Sequence, residues 1–273
     1  MLNDAEFAII AREVKQRSGA VLTREMAGAI EMRLQPLSRR EGFSSVSELI
    51  SAARIRPDGN LWAGVADHLV QSDTRFFRDR VQFDLLRTTL LPEALKRRGH
   101  ERVRVWSAAC STGQEAYSVA IIVEEMRAEG VNAAVELIAT DLSDRLLDKA
   151  RSGLYTQFEV QRGLPIRKLI GHFEKAGDLW RITDRMRAAV KFEQHNLLKH
   201  PGHLGQFDII LLGHTLSAFD AETRAEVLER VSETLAPEGV IVLGPGETVP
   251  QGFALLACEN GIARRAGAKR AAA

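Results

Sequence analysis

The chain has 273 residues, 45% of them hydrophobic and 27% charged, with 37 lysines and arginines against 36 aspartates and glutamates. That balance suits a soluble globular protein with one large or two modest domains, and it excludes a strongly basic nucleic-acid binder. No apolar run reaches the roughly 20 residues needed to span a bilayer, and the two cysteines, Cys110 and Cys258, make no disulfide framework. With no signal-like apolar region at the N-terminus, a reducing cytoplasm is the expected compartment.

Residues 1–71 carry helical patterns only and are expected to form an all-α N-terminal domain. Phe7, Ile10, Ala11 and Val14 share one face, and Gly19 stops that helix. Thr23 is expected to cap the next, with Met26, Ala27, Ile30 and Leu34 spaced for burial. Arg24, Arg33, Arg39 and Arg40 lie in or just after it, as a solvated basic face or as a docking surface for an acidic helical partner. Ser44-Ser-Val-Ser-Glu48 reads as a cap before a third helix, and 61–70 as a fourth.

Residues 72–85 are expected as a linker and the start of a second domain. Phe76 and Phe77 read as packing residues, while Arg78 reads either as a surface charge or, lying just before the second domain, as a residue facing its cleft. Phe83 to Lys96 reads as a helix that Pro92 bends or restarts.

The centre of the chain is 103–125. Val103, Val105 and Trp106 read as a short buried strand, and Ser107 to Glu115 as a loop of small and polar residues. From Ala116 the apolar period becomes helical, with Tyr117, Ala120 and Ile121 inward and Glu124 and Glu125 outward. Strand, small-residue loop and helix open a nucleotide-binding crossover, in which the helix N-terminus supplies free N–H groups. A second strand, Val135–Asp141, ends in a carboxylate placed to accept both ribose hydroxyls of an adenosine. Gly113 is the loop's only glycine, so the loop lacks the G-x-G-x-x-G that a pyrophosphate requires. A nucleoside without phosphate, such as S-adenosylmethionine, suits it better. The plainer reading is an ordinary buried α/β unit with Asp141 facing solvent.

Beyond it, 142–155 reads as a helix broken at Gly153. Residues 157–191 read as an inserted β subdomain, with antiparallel alternation in 179–183 and 189–193. His195-Asn-Leu-Leu198 ends a strand and puts Asn196 within reach of an adenine. Buried strands are expected at 207–212 and 240–243, with an amphipathic helix at 222–235 and a Pro237-Glu-Gly239 turn between them. Residues 263–273 are expected to fray. His195, His200 and His203 read as exposed loop histidines, since no cysteine or carboxylate completes a metal ligand set. No nucleophile elbow or P-loop is present. The fold class is therefore α/β: a Rossmann-like domain over 86–273 with a small antiparallel insertion, preceded by the helical domain.

Several ordered segments together resemble the chemotaxis receptor methyltransferases (CheR-type, S-adenosylmethionine-dependent protein-glutamate O-methyltransferases). Thr74-Arg-Phe-Phe-Arg78 is similar to the family's T-x-F-F-R segment, and Trp106 to Ser118 resembles its cofactor loop almost letter for letter. Ala139-Thr-Asp141, Phe192 with Asn196-Leu197, and Phe207-Asp208 follow in the family's order. The resemblance implies that Thr74 and Arg78 approach the methionyl end of the cofactor, Arg78 at the catalytic centre. It also implies that Ala108 and Glu115 line the cofactor loop, that Asp141 holds the ribose, and that Asn196 and Leu197 sit by the adenine. The implied substrate is a glutamate side chain on the cytoplasmic helices of a chemoreceptor, with S-adenosylhomocysteine as the other product. The protein is then a monomer that meets a membrane only through its receptor, and the Arg24–Arg40 region gains weight as the receptor-docking surface. No metal and no nucleic acid is implied.

One run departs from the family pattern. Where C-R-N-V-x-I-Y-F is usual, this chain has Leu212-Gly-His-Thr-Leu-Ser-Ala-Phe219, so that Gly213, His214 and Ala218 replace Arg, Asn and Tyr. In the family those three residues line the cofactor–substrate pocket, which places His214 beside the cofactor. A glutamate of pKa ~4.3 is already ionised at neutral pH, so methyl transfer to it needs no general base and rests on orientation and desolvation. Loss of the Tyr hydroxyl costs one positioning hydrogen bond, about 1–3 kcal/mol. Two functions are carried forward: a working glutamate methyltransferase with a remodelled pocket, and a non-catalytic relative that binds cofactor or partner as a scaffold.

Overall fold

The computed structural model describes residues 2–55, 59–70, 73–250, 253, 256–259 and 261–265. They group into two compact units, Met1–Gln71 with Ser217–Arg224, and Ser72–Leu216 with Ala225–Ala273.

The first unit is helical. In α1 (Asp4–Ser18) the Asn3 side chain accepts the Glu6 N–H at 2.9 Å and Glu6 accepts the Asn3 N–H in return, while Gly19 closes the other end at φ 76°. A 3₁₀ turn, Arg24–Met26, precedes α2 (Ala27–Arg40). Thr23 makes no side-chain cap there, and Met26 is exposed. The tighter turn breaks the helical phase on which both expectations rested. In α3 (Val46–Ile55), Ser45 Oγ accepts the Glu48 N–H and Glu48 accepts from Ser44, as a capping segment should; α4 (Asn60–Leu69) comes next. Ile10, Val14, Leu34, Leu49, Trp62 and Val65 form the core. Ser217–Arg224 joins this unit through specific bonds: the Val21 N–H donates to the Ala218 carbonyl at 2.9 Å, Ala20 bridges Phe219, and Lys15 pairs with Asp220.

The second unit opens with α5 (Arg80–Leu85), a π-helical turn (Leu86–Leu90) and α6 (Leu91–Arg98). The π turn is how the chain admits Pro92, which then occupies the first turn of α6, where its missing N–H is harmless. The sheet and its crossovers begin with β1 (Val103–Ala108), α7 (Gln114–Ala128), β2 (Val135–Asp141) and α8 (Asp144–Ser152). Then come β3 (Leu154–Thr156), α9 (Gln157–Gln161), α10 (Ile166–His172), β4 (Phe173–Ala176), β5 (Leu179–Ile182), α11 (Asp184–Ala188) and β6 (Val190–Gln194). The chain ends with β7 (Phe207–Leu212), α12 (Ala221–Glu233), β8 (Leu235–Leu243), β9 (Leu256–Glu259) and β10 (Ile262–Arg265).

The large sheet runs β6-β2-β1-β7-β8-β10-β9, parallel from β6 through β8, with β10 and β9 antiparallel. Strand order reverses between β1 and β7, so the crevice for a ligand opens at the carboxyl ends beside that switch. The small sheet, β3-β5-β4, is antiparallel and lies within the expected insertion, starting earlier at Leu154.

Four further expectations change. Residues 190–194 are not an insertion strand but β6, the parallel edge of the large sheet. One half-exposed face is common to both settings, so alternation could not separate them. Pro237-Glu-Gly239 lies inside β8 as a bulge, with Phe207 opposite Leu235 but Ile209 opposite Val240. Glu124 and Glu125 are half-buried in ion pairs, to Arg185 and to Lys168 and Arg87 respectively. Residues 263–265 belong to β10; 266–273 lie outside the described residues.

Candidate functional site

Of the expected cleft residues of the second unit, Thr74 and Arg78 lie on the strap 74–79, Ala108 ends β1, Glu115 lies in the first turn of α7, Asp141 ends β2, Asn196 and Leu197 follow β6, and His214 follows β7; Glu247, which was not expected, follows β8. Pairing of Ala108 with Thr140 and of Asp141 with Gln194 sets these ends side by side.

The β1–α7 loop is tightly wound. Ala109 (φ 54°), Ser111 (φ 52°) and Gly113 (φ 89°) adopt left-handed backbone at alternate positions. Gly113 is required twice over: besides its φ, a Cβ there would sit 2.9 Å from Ala150 Cβ. Tyr155 braces the loop by donating to the Thr112 carbonyl at 2.8 Å, and the Cys110 N–H donates to the Thr140 carbonyl. Asp141 is buried. Its carboxylate accepts the Ser111 N–H at 2.8 Å and the Ser143 N–H at 3.0 Å, which ties the tip of β2 to the loop. The alternative of a solvent-facing Asp141 is therefore excluded. The His195 N–H donates to the Asp141 carbonyl at 3.0 Å, bringing the Asn196-Leu197 turn alongside; Asn196 Oδ1 accepts the Leu198 N–H.

Glu115 lies in the first turn of α7, where the helix dipole favours a negative charge. Part of its side chain faces the cleft, yet enclosure by protein, and then the charge of Asp79, raises its carboxyl to about 7 against the opposing pull of Arg78. The strap opposite is pinned by Phe76, fully buried and edge-on to Tyr155 (5.1 Å) and Phe173 (5.4 Å). Gly163 packs so tightly on it that a Cβ would lie 2.1 Å from the Phe76 carbonyl oxygen. The Phe77 N–H donates to Ser118 Oγ at 3.0 Å. Thus fixed, the strap carries two buried polar atoms with no hydrogen-bond partner among the described residues, Thr74 Oγ1 and Arg78 Nε.

The model of the CheR methyltransferase SAM-binding domain matches residues 72–261. This chain belongs to the CheR methyltransferase family. It is 33% identical to chemotaxis protein methyltransferase 1 of Pseudomonas aeruginosa over 270 residues, 96% of this chain and 98% of that one. It is 30% identical to chemotaxis protein methyltransferase Cher2 of Pseudomonas putida, over 91% of this chain and 93% of the relative. A third relative, chemotaxis protein methyltransferase 1 of Vibrio cholerae, is 31% identical over 96% of each chain. S-adenosylmethionine is the cofactor of this CheR methyltransferase.

The run 212–219 has a defined geometry of its own. His214 stands at φ 61°, with its N–H on Glu247 Oε2 (2.7 Å) and its ring Nε2 on Asp79 Oδ2 (2.6 Å). Glu247 also accepts the Gly244 N–H at 2.9 Å. Sequence motifs do not single out Asp79 or Glu247. Asp79 directly follows the T-x-F-F-R segment, and Glu247 sits in a Gly-Pro-Gly turn after β8; only the fold brings them to one place. Asp79, Gln82, Glu115, Leu211, Gly213 and Val242 are among the residues lining a cavity with room for about one water, about 20 Å³.

Elsewhere, His195 is buried, unlike the exposed His200 and His203, and burial then His203's charge lower it to about 4. Among the described residues no cluster suited to a metal is present, and no helix is long and apolar enough to cross a membrane. In the first unit Arg24 is tied down, donating to the Leu2 carbonyl and pairing with Asp4, and Arg40 pairs with Glu41. Arg33 and Arg39 are exposed and make no ion pair among the described residues.

Proposed function

We propose that this CheR methyltransferase esterifies glutamate side chains on the cytoplasmic helices of a chemoreceptor. The observation that carries the reading is the pairing of a rigid buried carboxylate, Asp141, with a strap whose Thr74 Oγ1 and Arg78 Nε are buried and unpartnered. Buried polar atoms without partners are costly, and donors of this kind suit the carboxylate end of an amino-acid cofactor. The residues therefore fit S-adenosylmethionine. Asp141 would hold the ribose, Asn196 and Leu197 the adenine side, and Thr74, Arg78, Ala108 and Glu115 the methionyl end, with His214 beside it.

S-adenosylmethionine supplies a methyl group: a carboxylate oxygen forms the new C–O bond as the C–S bond breaks with its electron pair going to sulfur, leaving an ester and a thioether with no proton moved. The protein's part is to orient the acceptor and exclude water, and proximity of that kind is worth about 7–11 kcal/mol. The names of the relatives support a receptor as partner, and the exposed Arg33 and Arg39 offer a basic surface for an acidic helix.

The test is calorimetric titration with S-adenosylmethionine and S-adenosylhomocysteine, and then transfer of labelled methyl onto a receptor cytoplasmic fragment. Micromolar cofactor binding and base-labile label on glutamates are expected. A folded protein that binds cofactor but labels no glutamate would refute the acceptor; one that binds neither compound would leave only the scaffold.

A further inference from the structure

The inserted segment grips the strap that carries Thr74 and Arg78. Gly163 packs on the Phe76 carbonyl, Phe173 of β4 stands edge-on to the Phe76 ring, and Lys168 Nζ of α10 lies 5.1 Å from the centre of the Phe77 ring. Arg162, just after the last turn of α9, makes the charged contact. Its Nη2 donates to Asp73 Oδ1 at 3.0 Å, and its guanidinium lies over the Phe158 ring at 5.5 Å. Asp73 immediately precedes Thr74, and it also meets Arg78.

Two arginines thus share one aspartate, unequally. The Asp73 carboxylate is in direct hydrogen-bond contact with Arg162, whereas its Oδ2 lies 3.5 Å from Arg78 Nη2. Arg78 is held chiefly by backbone, its Nη1 donating to the Asp73 carbonyl at 2.6 Å. A carbonyl positions a guanidinium without cancelling its charge. A carboxylate closed on the guanidinium in a bidentate pair would both occupy the fork and neutralise it. A cofactor carboxylate needs that fork and that charge, and Asp73 is its nearest rival. Asp73 is exposed, adjoins the strap, and among the described residues is paired away from Arg78 by Arg162 alone. Asp79, the next carboxylate along, is taken by the His214 ring. Taking Arg78 to meet the amino-acid end of the cofactor, as proposed above, we propose that Arg162 is a positioning residue that holds Asp73 off Arg78 and so keeps Arg78 available to the cofactor's carboxylate. The inserted segment is thereby coupled to cofactor affinity through one ion pair.

The experiment is calorimetric titration of the full chain with S-adenosylhomocysteine and with methylthioadenosine, which keeps the nucleoside and the thioether but lacks the carboxylate. Arg162 is partly exposed, so Arg162→Gln should fold. It is expected to weaken S-adenosylhomocysteine binding about fivefold, the scale of a partly exposed ion pair, and to leave methylthioadenosine within about twofold. Adding Asp73→Asn removes the rival carboxylate and should bring S-adenosylhomocysteine back to within about twofold of wild type. A merely structural role for Arg162 would weaken both ligands and would not be rescued by the second substitution. Unchanged S-adenosylhomocysteine affinity in Arg162→Gln, equal losses for the two ligands, or a loss that Asp73→Asn does not repair overturns the inference. Arg78→Gln checks the reading beneath it, with about tenfold weaker S-adenosylhomocysteine binding and methylthioadenosine within about twofold expected. If that variant discriminates the two ligands and Arg162→Gln does not, this inference alone fails; if Arg78→Gln affects both ligands alike, the placement of Arg78 fails with it.

Discussion

Replacing Glu115 by Gln tests whether the loop–helix junction holds a carboxyl against its preference for water. Enclosure raises Glu115 from 4.5 to about 7, and at about 1.4 kcal/mol per pH unit this displacement amounts to about 3 kcal/mol. The part of the side chain that faces the cleft is screened, so about 2 kcal/mol is the expected effect. The sign comes from proton counting. Between 4.5 and about 7 the unfolded chain has released this proton and the folded chain has not, so stability falls as pH rises through that window and levels off above it. Glu115→Gln is neutral throughout. Without cofactor it should match wild type near 4.5 and be more stable by about 2 kcal/mol above about 7. Urea unfolding monitored by tryptophan fluorescence in a Trp62→Phe background reads this out, since Trp106 and Trp180 both lie in the second unit. A difference between variant and wild type that does not change with pH would refute the reasoning. So would a variant that is less stable at the alkaline end.

Asp141→Ala removes the acceptor for two backbone N–H groups and should abolish calorimetric binding of S-adenosylhomocysteine while far-UV circular dichroism stays unchanged; full affinity would remove Asp141 from the site. Phe76→Ala should destabilise the second unit by about 3–5 kcal/mol, because that ring is fully buried among Tyr155 and Phe173; a loss under about 1 kcal/mol would show that the strap is anchored otherwise. Tyr117→Phe deletes a buried hydroxyl that donates to the Ala150 carbonyl and should cost about 1 kcal/mol in the same unfolding assay. Arg33→Glu with Arg39→Glu should weaken receptor-fragment binding at low salt and matter less as salt screens the surface; equal binding at all salt concentrations would return that face to solvent.

Where local chemistry dictates the outcome, the amino-acid sequence was enough. Val103 to Trp106 is apolar enough to be a central parallel strand, the small residues 107–113 permit a left-handed loop, and Asp141 ends a strand by its own position in the chain. These features depend on side-chain size and on periodicity, which the chain states directly. Tertiary structure alone decided the rest. Residues 190–194 alternate as an antiparallel strand would, but they pair in parallel with β2, from Val190 opposite Leu137 to Gln194 opposite Asp141, a choice of partner that alternation does not encode. The cluster of Asp79, Glu115, His214 and Glu247 draws on residues from four separate parts of the sequence, and its charge exists only because the strand ends converge. Gly213 and His214 could be read as losses in the sequence. In the fold the His214 N–H meets Glu247 and its ring meets Asp79, and a pairing between residues 79 and 214 is set by the sheet, not by any spacing along the chain.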